Sequence, residues 1–436
     1  MPSNAAFYLR VARQLSLKSN RHLGPLLDAD LRRWRDLRRQ ALPFEADSDE
    51  QHLSRAFAWL RDANQALRGR GFPTKYSLGP LFGLGPPYPE TTGYTICTLL
   101  TILRQKERFA FLPLDDVRSL AEKATRYLLS TQLEGGAFSG GHALMKNFGR
   151  PSVFNTGQIL LGLADALETV SDAGSELPLA DRDRASLERS VRRAADFMCG
   201  QITTEGGFDP QFTYLKSSKA YYTRAAYGLL RAGQALQEQR YVDATRRHFD
   251  WVVSLQRPDG WIDHWGFDET FAVLHTIAYT LRGLIEAGVA LNDERYTTTV
   301  MRSLDFLATL SWASPTLDQA DSNRPAIPPA YVAADRRVVP ELCITGLSQL
   351  AIVLKKVSLA TDLNRDRRDV WFSDIVNLTR RFQPRDFRNR LMNGVMPASW
   401  PLDGRYQPND FIEWGTKFFM DSLLLSMGAP AESIRG

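Results

Sequence analysis

A short phrase recurs where helical stretches end: a glutamine, then one or two glycines, then an aromatic. It reads Gln132-Leu-Glu-Gly-Gly-Ala-Phe138, Gln201-Ile-Thr-Thr-Glu-Gly-Gly-Phe208 and Gln256-Arg-Pro-Asp-Gly-Trp261, with a looser copy from Gln383 to Trp400. Glycine ends a helix because, lacking a Cβ, it enters left-handed backbone without penalty. A stop signal that returns about every 60 residues marks a repeat architecture, and no other feature narrows the choice of folds as far.

Amphipathic runs lead into these stops: Leu120–Gln132, Leu187–Gln201, Tyr241–Gln256, Tyr296–Leu310 and Val370–Phe382. Leu53–Leu67 adds a sixth. Their charges gather on one side, as with Arg189, Arg192, Arg193 and Asp196, which is how a helix with one wet face reads. The runs that follow start near Thr92, Asn155, Tyr222, Leu274, Glu341 and Glu413, at spacings of 63, 67, 52, 67 and 72 residues. They are apolar nearly all round and predict helices buried on most sides. Six exposed helices alternating with six buried ones predict an all-α (α/α)6 toroid. An open solenoid is the alternative. The outer-to-inner connections are long, as in Gly135–Phe154 and Gly206–Tyr221. Loops of that length usually carry function, and here all would open on one end of the ring. No Ser/Gly- or Pro-rich linker divides the repeats, so residues 50–436 read as one toroid domain and 1–49 as a basic helical N-terminal extension.

The net charge is +5 and the pI about 9.0. Arg32, Arg33, Arg35, Arg38 and Arg39 hold much of the excess. They read as a solvated helix face or a segment docked on the ring, or else as a contact with an acidic membrane surface or a protein partner. Only Trp34 interleaves them and no nucleic-acid motif is present, so no nucleic-acid partner is expected. No apolar run reaches the roughly 18 residues of a membrane span. Met1–Leu17 lacks the pattern of a secretory signal, which points to the cytoplasm. Cys97, Cys199 and Cys343 fall inside predicted helices and read as buried free thiols. They share no metal spacing with the six histidines, so neither a metal nor another cofactor is expected.

The connections and inner-helix starts are dense in aromatic and hydrogen-bonding side chains. The first reads Tyr88-Pro-Glu-Thr-Thr-Gly-Tyr94, the third includes Tyr214, Tyr221 and Tyr222, and the fourth runs from Trp261 to His275. Aromatic faces stack on the C–H faces of sugars, while amides, cations and carboxylates bind hydroxyls. His142, Asn155, Arg224, Trp265, His275, Tyr279, Arg282, Trp400, Arg405, Tyr406, Trp414 and Lys417 are the candidate substrate-binding residues. The cations among them suit a uronic acid. Glu90, Glu341 and Glu413 stand at inner-helix starts, where each serves either as a helix cap or as a general acid or base. Asp263 competes for the same role, and hydrolysis with two carboxylates needs a pair of such groups. His264 and Tyr222 open a second chemistry, abstraction of the C5 proton of a uronic acid. For His275, Tyr279 and Arg282 the plainer readings are packing and ion pairing. The His264 loop and the Glu413–Lys417 helix start should line one cavity, with Trp265 and Trp414 as stacking walls.

The segments Phe154-Asn-Thr-Gly-Gln-Ile-Leu-Leu-Gly-Leu and Leu274-His-Thr-Ile-Ala-Tyr-Thr-Leu-Arg-Gly-Leu, with the Gly-Gly-aromatic turns, resemble the six-hairpin glycosidase-like superfamily. That group includes unsaturated glucuronyl hydrolases, N-acyl-glucosamine-type epimerases and toroidal polysaccharide lyases. The pattern is also similar to proteins encoded with bacterial exopolysaccharide synthesis enzymes. The resemblance spans residues 50–428 and implies a carbohydrate-active enzyme working on a poly- or oligosaccharide, acidic or neutral. A glycoside hydrolase with two carboxylates comes first, a uronic-acid lyase or C5-epimerase second. The phrase Gln256-Arg-Pro-Asp-Gly-Trp261 also resembles the Gln–Trp repeat of terpenoid cyclases, but their Asp-x-Asp-Asp and Asp-Asp-x-x-Asp runs are missing. A lanthionine cyclase would need a Cys/His zinc set. A non-catalytic glycan-binding protein would use the same cavity without an acid/base group.

Overall fold

The computed structural model describes residues 47–78, 83–171, 177, 181–310 and 325–436. The predicted extension 1–49 therefore lies outside the described residues except for its last three positions. Twelve α-helices follow in chain order among the described residues: α1 (Asp49–Ala66), α2 (Pro89–Arg104), α3 (Leu114–Leu129), α4 (Val153–Ser171), α5 (Asp181–Gly200), α6 (Thr223–Leu236), α7 (Gln239–Ser254), α8 (Leu274–Leu291), α9 (Glu294–Ala308), α10 (Ile344–Val357), α11 (Arg365–Arg380) and α12 (Glu413–Ser426).

The even-numbered helices form an inner ring in which each packs on its two neighbours, α12 against α2 included. Each inner helix also packs on the outer helix that follows it, and α12 packs on the first outer helix, α1. The last hairpin is thus made from the two ends of the toroid, which closes it. Outer helices bury one stripe, as α3 does with Val117, Leu120, Ala121, Ala124 and Leu128. Inner helices are covered almost all round, as α8 is. Each fully buried aliphatic side chain of this kind contributes about 1.5–3 kcal/mol.

The recurring phrase has a mechanical role. Gly260 takes φ +95°, and a methyl group on it would sit 2.3 Å from the carbonyl oxygen of Arg302 on the next outer helix. Gly394, at φ +88°, abuts the Arg55 carbonyl of α1 in the same way, at 2.2 Å, across the seam of the ring. The glutamines tie neighbours together. Gln256 Nε2 donates to the Thr299 carbonyl at 2.7 Å, and Gln383 Nε2 donates to the His52 carbonyl at 3.0 Å. These glutamines lie just beyond their helices, and the outer helices end one to three residues earlier than the sequence runs suggest. Helices α3 and α5 also begin earlier, at Leu114 and Asp181 rather than near Leu120 and Leu187. Their first turns are too polar to show an apolar period. Cys97 and Cys343 are buried, whereas Cys199 near the end of α5 is partly exposed.

Short strands in the connections, which the sequence reading did not anticipate, tighten the end where the inner helices begin. Lys75–Ser77 pairs antiparallel with Asp410–Ile412, setting Tyr76 opposite Phe411 and fastening the first connection to the sixth. No helix among the described residues is long and apolar enough to cross a membrane.

Candidate active site

A cavity of about 450 Å³ opens at that end of the ring. Glu90, in the first turn of α2, lies on its wall, and its side chain is held on several sides. Tyr88 donates its hydroxyl to Glu90 Oε2, and Asn155 Nδ2 donates to the same oxygen at 2.8 Å. The Tyr214 hydroxyl donates to Asn155 Oδ1 and lies 3.5 Å from the Tyr88 hydroxyl. Tyr222 closes the chain by accepting from the Tyr214 backbone N–H at 3.0 Å. Three hairpins thus hold one carboxyl. Burial raises the Glu90 pKa to about 7, against the partly offsetting hydrogen bond from Tyr88.

Two imidazoles share the wall. His142 stands edge-on to Tyr88, centroids 5.6 Å apart. Burial, helped by the charge of Lys75, lowers its pKa to about 4. His275 has Nδ1 2.8 Å from Gln349 Nε2, and burial lowers its pKa to about 3. Both are neutral at physiological pH. Tyr279 lies 4.4 Å from His275, ring to ring. Trp414 Nε1 donates to the Tyr406 hydroxyl at 2.9 Å, so the aromatics are fixed in orientation before any ligand arrives. Arg405 and Lys75 bring positive charge to the cavity, Lys75 already being paired with Asp410.

Of the residues singled out in the sequence, Glu90, His142, His275, Tyr279, Arg405, Tyr406 and Trp414 line the cavity. Asn155 and Tyr222 stand just behind the wall, bonded to residues on it. The others lie elsewhere. Arg224 and Arg282 both bond Glu286 at 2.7 Å, with Lys356 at 3.1 Å. Gly283 packs against Thr223, so α6 begins more than two turns deeper in the ring than α8, and Arg224 misses the cavity. Lys417 is buried against Asp421 at 2.7 Å. Glu413 is fully buried and accepts from the Thr95 hydroxyl at 2.7 Å, and burial raises its pKa to about 8. Trp265 is buried against Trp261, and Trp400 packs on Phe382. Asp263 pairs with Arg257 at 2.6 Å. His264 is 45% exposed and pairs with Glu269 at 3.2 Å. Glu341 accepts from the Arg405 backbone N–H at 2.8 Å. The His264 loop and the start of α12 therefore do meet the same cavity, but through Phe267 and Trp414 rather than through His264, Trp265 or Glu413. Lys75, Phe154 and Tyr214 also line it. Tyr214 stood in the aromatic-rich third connection, whereas Lys75 comes from a strand with no local signal.

No family model and no curated protein sequence matches the chain. Solved structures do. An unsaturated glucuronyl hydrolase from Bacillus sp. GL1, responsible for the degradation of glycosaminoglycan, superposes with a TM-score of 0.63 at 14% identity, over 88% of this chain and 98% of that one. An unsaturated glucuronyl hydrolase specific for heparin gives 0.62 at 13%, over 86% and 95%. A D-mannose isomerase gives 0.60 at 12%, over 88% and 99%. At such identities the common property is the fold. With its closed ring of six inner and six outer helices among the described residues, the chain has the (α/α)6 toroid fold of these solved structures.

Proposed function

We propose that the protein is a carbohydrate-active enzyme that acts on an acidic sugar with Glu90 as its proton donor. The observation that carries this reading is that Glu90 is the one carboxyl among the described residues to line the cavity. It is 6% exposed, oriented by Tyr88 and Asn155, and has a pKa of about 7. Such a group can give up a proton near neutrality and take it back. The pair of carboxylates that ordinary glycoside hydrolysis requires is not offered by this wall. One carboxyl suffices if the substrate is a 4,5-unsaturated uronic acid, whose C4=C5 bond is a vinyl ether. Glu90 protonates C4, the ring oxygen stabilises the cation at C5, and water adds to C5. The proton lost by that water returns to Glu90. The resulting hemiketal opens to a C5 ketone, and the hemiacetal left at C1 collapses to an aldehyde, breaking the C1–O bond and releasing the attached group as an alcohol. Arg405 would bind the sugar carboxylate, and Trp414 and Tyr406 would face the ring. The names of the similar glucuronyl hydrolases support this reading.

A second reading, proton transfer in an epimerase or lyase, is favoured by the two neutral imidazoles, His142 and His275. One assay separates the two. An unsaturated glucuronyl disaccharide should lose its ultraviolet absorbance in the presence of the protein. A lyase would instead generate absorbance from a saturated polymer, and an epimerase would place solvent deuterium at C5 without shortening the chain. Inactivity in all three would sink the enzymatic reading and leave a glycan-binding protein.

A further inference from the structure

Seven large apolar side chains are substantially exposed among the described residues. Two of them line the cavity and a third adjoins in sequence a residue that does, on three different connections. Met145 (37% exposed) and Phe267 (47%) line the cavity itself, and Leu215 (45%) follows Tyr214, which lines it. The other four are Val289, Leu359, Leu363 and Val370, at the opposite end where inner helices finish. The Phe267 ring is steadied at its edge by Tyr221, with centroids 5.6 Å apart at 72°. Opposite this lip the sixth connection presents Arg405 and Gln407. The mouth is therefore two-sided, charged and polar on one side, apolar on the other.

Exposed apolar groups cost solubility and gain nothing in the free protein, so a cluster at a cavity mouth marks a contact made with ligand. Two of the three are aliphatic. Sugar rings are held by flat aromatic faces, whereas Met and Leu fit flexible methylene chains. We propose that this site takes a glycoside whose non-sugar part is an alkyl or acyl chain, with the sugar in the cavity and the chain lying along Met145, Leu215 and Phe267. This rests on the reading of the cavity as a sugar site, and the lip adds the class of group attached to that sugar.

The test is calorimetric titration with methyl and octyl β-D-glucuronide, the octyl compound kept below its micellar concentration, beside a glucuronosyl-glucose disaccharide. Burying a few methylenes should make the octyl compound bind on the order of tenfold tighter than the methyl one. The Met145→Ser/Phe267→Ser protein should bring that ratio toward one, and Leu215→Ser should lower it in part. These side chains are exposed, and circular dichroism would verify that the variants fold. Equal affinity for octyl and methyl compounds overturns the proposal. So does a gain confined to the disaccharide, which would make the lip a second sugar subsite. If neither glucuronide binds, octyl and methyl β-D-glucoside are compared. An octyl preference there keeps the apolar lip and removes the acidic-sugar reading, while its absence removes both.

Discussion

Replacing Glu90 by glutamine separates its chemical role from its cost to the fold. The amide keeps the size and most hydrogen bonds but cannot donate a proton, so turnover should fall at least 10²-fold while glycan binding persists. With Glu90 as the proposed proton donor, the wild-type rate should hold level in acid and decline, with one proton, as pH rises through about 7, where the carboxyl loses the proton it would donate. Stability follows the opposite logic from a salt-bridged acid. The folded pKa lies above the ordinary value of 4.5, so the native state holds a proton that the unfolded chain has lost, and stability drops between pH 4.5 and 7. Glu90→Gln should therefore outlast the wild type at pH 8 by up to roughly 3 kcal/mol in urea unfolding, and match it more closely at pH 4. Glu413→Gln should also stabilise at alkaline pH, since burial raises Glu413 to about 8, but should retain most turnover because its side chain stays off the cavity wall. A large loss of rate there would restore Glu413 to the chemistry. At this scale the sequence revealed residue types at helix starts but not depth. Glu90 and Glu413 both stand in the first turn of an inner helix, the second and the first residue respectively, yet only Glu90 meets the cavity.

Among the elements, the glycine stops were the most legible feature, and they can be tested as joints. Gly149 and Gly394 have nearly the same φ, +87° and +88°, but nothing lies within 4 Å of a methyl on Gly149, whereas Arg55 O would lie 2.2 Å from one on Gly394. Gly149→Ala should cost about 1 kcal/mol, from backbone strain alone. Gly394→Ala should cost roughly 3 kcal/mol or more, because α1 must also move away. Equal losses in thermal unfolding would mean that the turn does not bear on its neighbour. Helix existence and order were readable from the apolar period. Helix starts were less so, since Asp115 and Asp116 in the first turn of α3 mask the pattern. The strands were not readable at all. Segments such as Lys75–Ser77 gain their hydrogen bonds from Asp410–Ile412, far along the chain, and nothing local announces a partner so distant.

For the whole molecule, the seam between α1 and α12 decides whether the toroid behaves as one unit. It is joined by His52 Nδ1 at 2.8 Å from Gln383 Oε1, by Trp59 Nε1 donating to the Leu391 carbonyl at 2.9 Å, and by the pairing of Lys75–Ser77 with Asp410–Ile412. Amides of α1 should exchange with deuterium as slowly as those of α7, on the far side of the ring. Gln383→Ala should speed exchange in α1 before it does so in α7. Fast exchange of α1 in the unaltered protein would mean a ring that is open in solution.

The deep end of the ring has a consequence of its own. There Arg282 Nη2 donates to the Ile434 and Gly436 oxygens at 3.0 and 2.8 Å, and Arg435 reaches Asp165 at 2.8 Å. Above them Tyr94, Phe418 and Tyr279 fill the axis. The molecule is a cup and not a tube. A polymer cannot be threaded through it, and any ligand that enters must back out past the lip by which it came in.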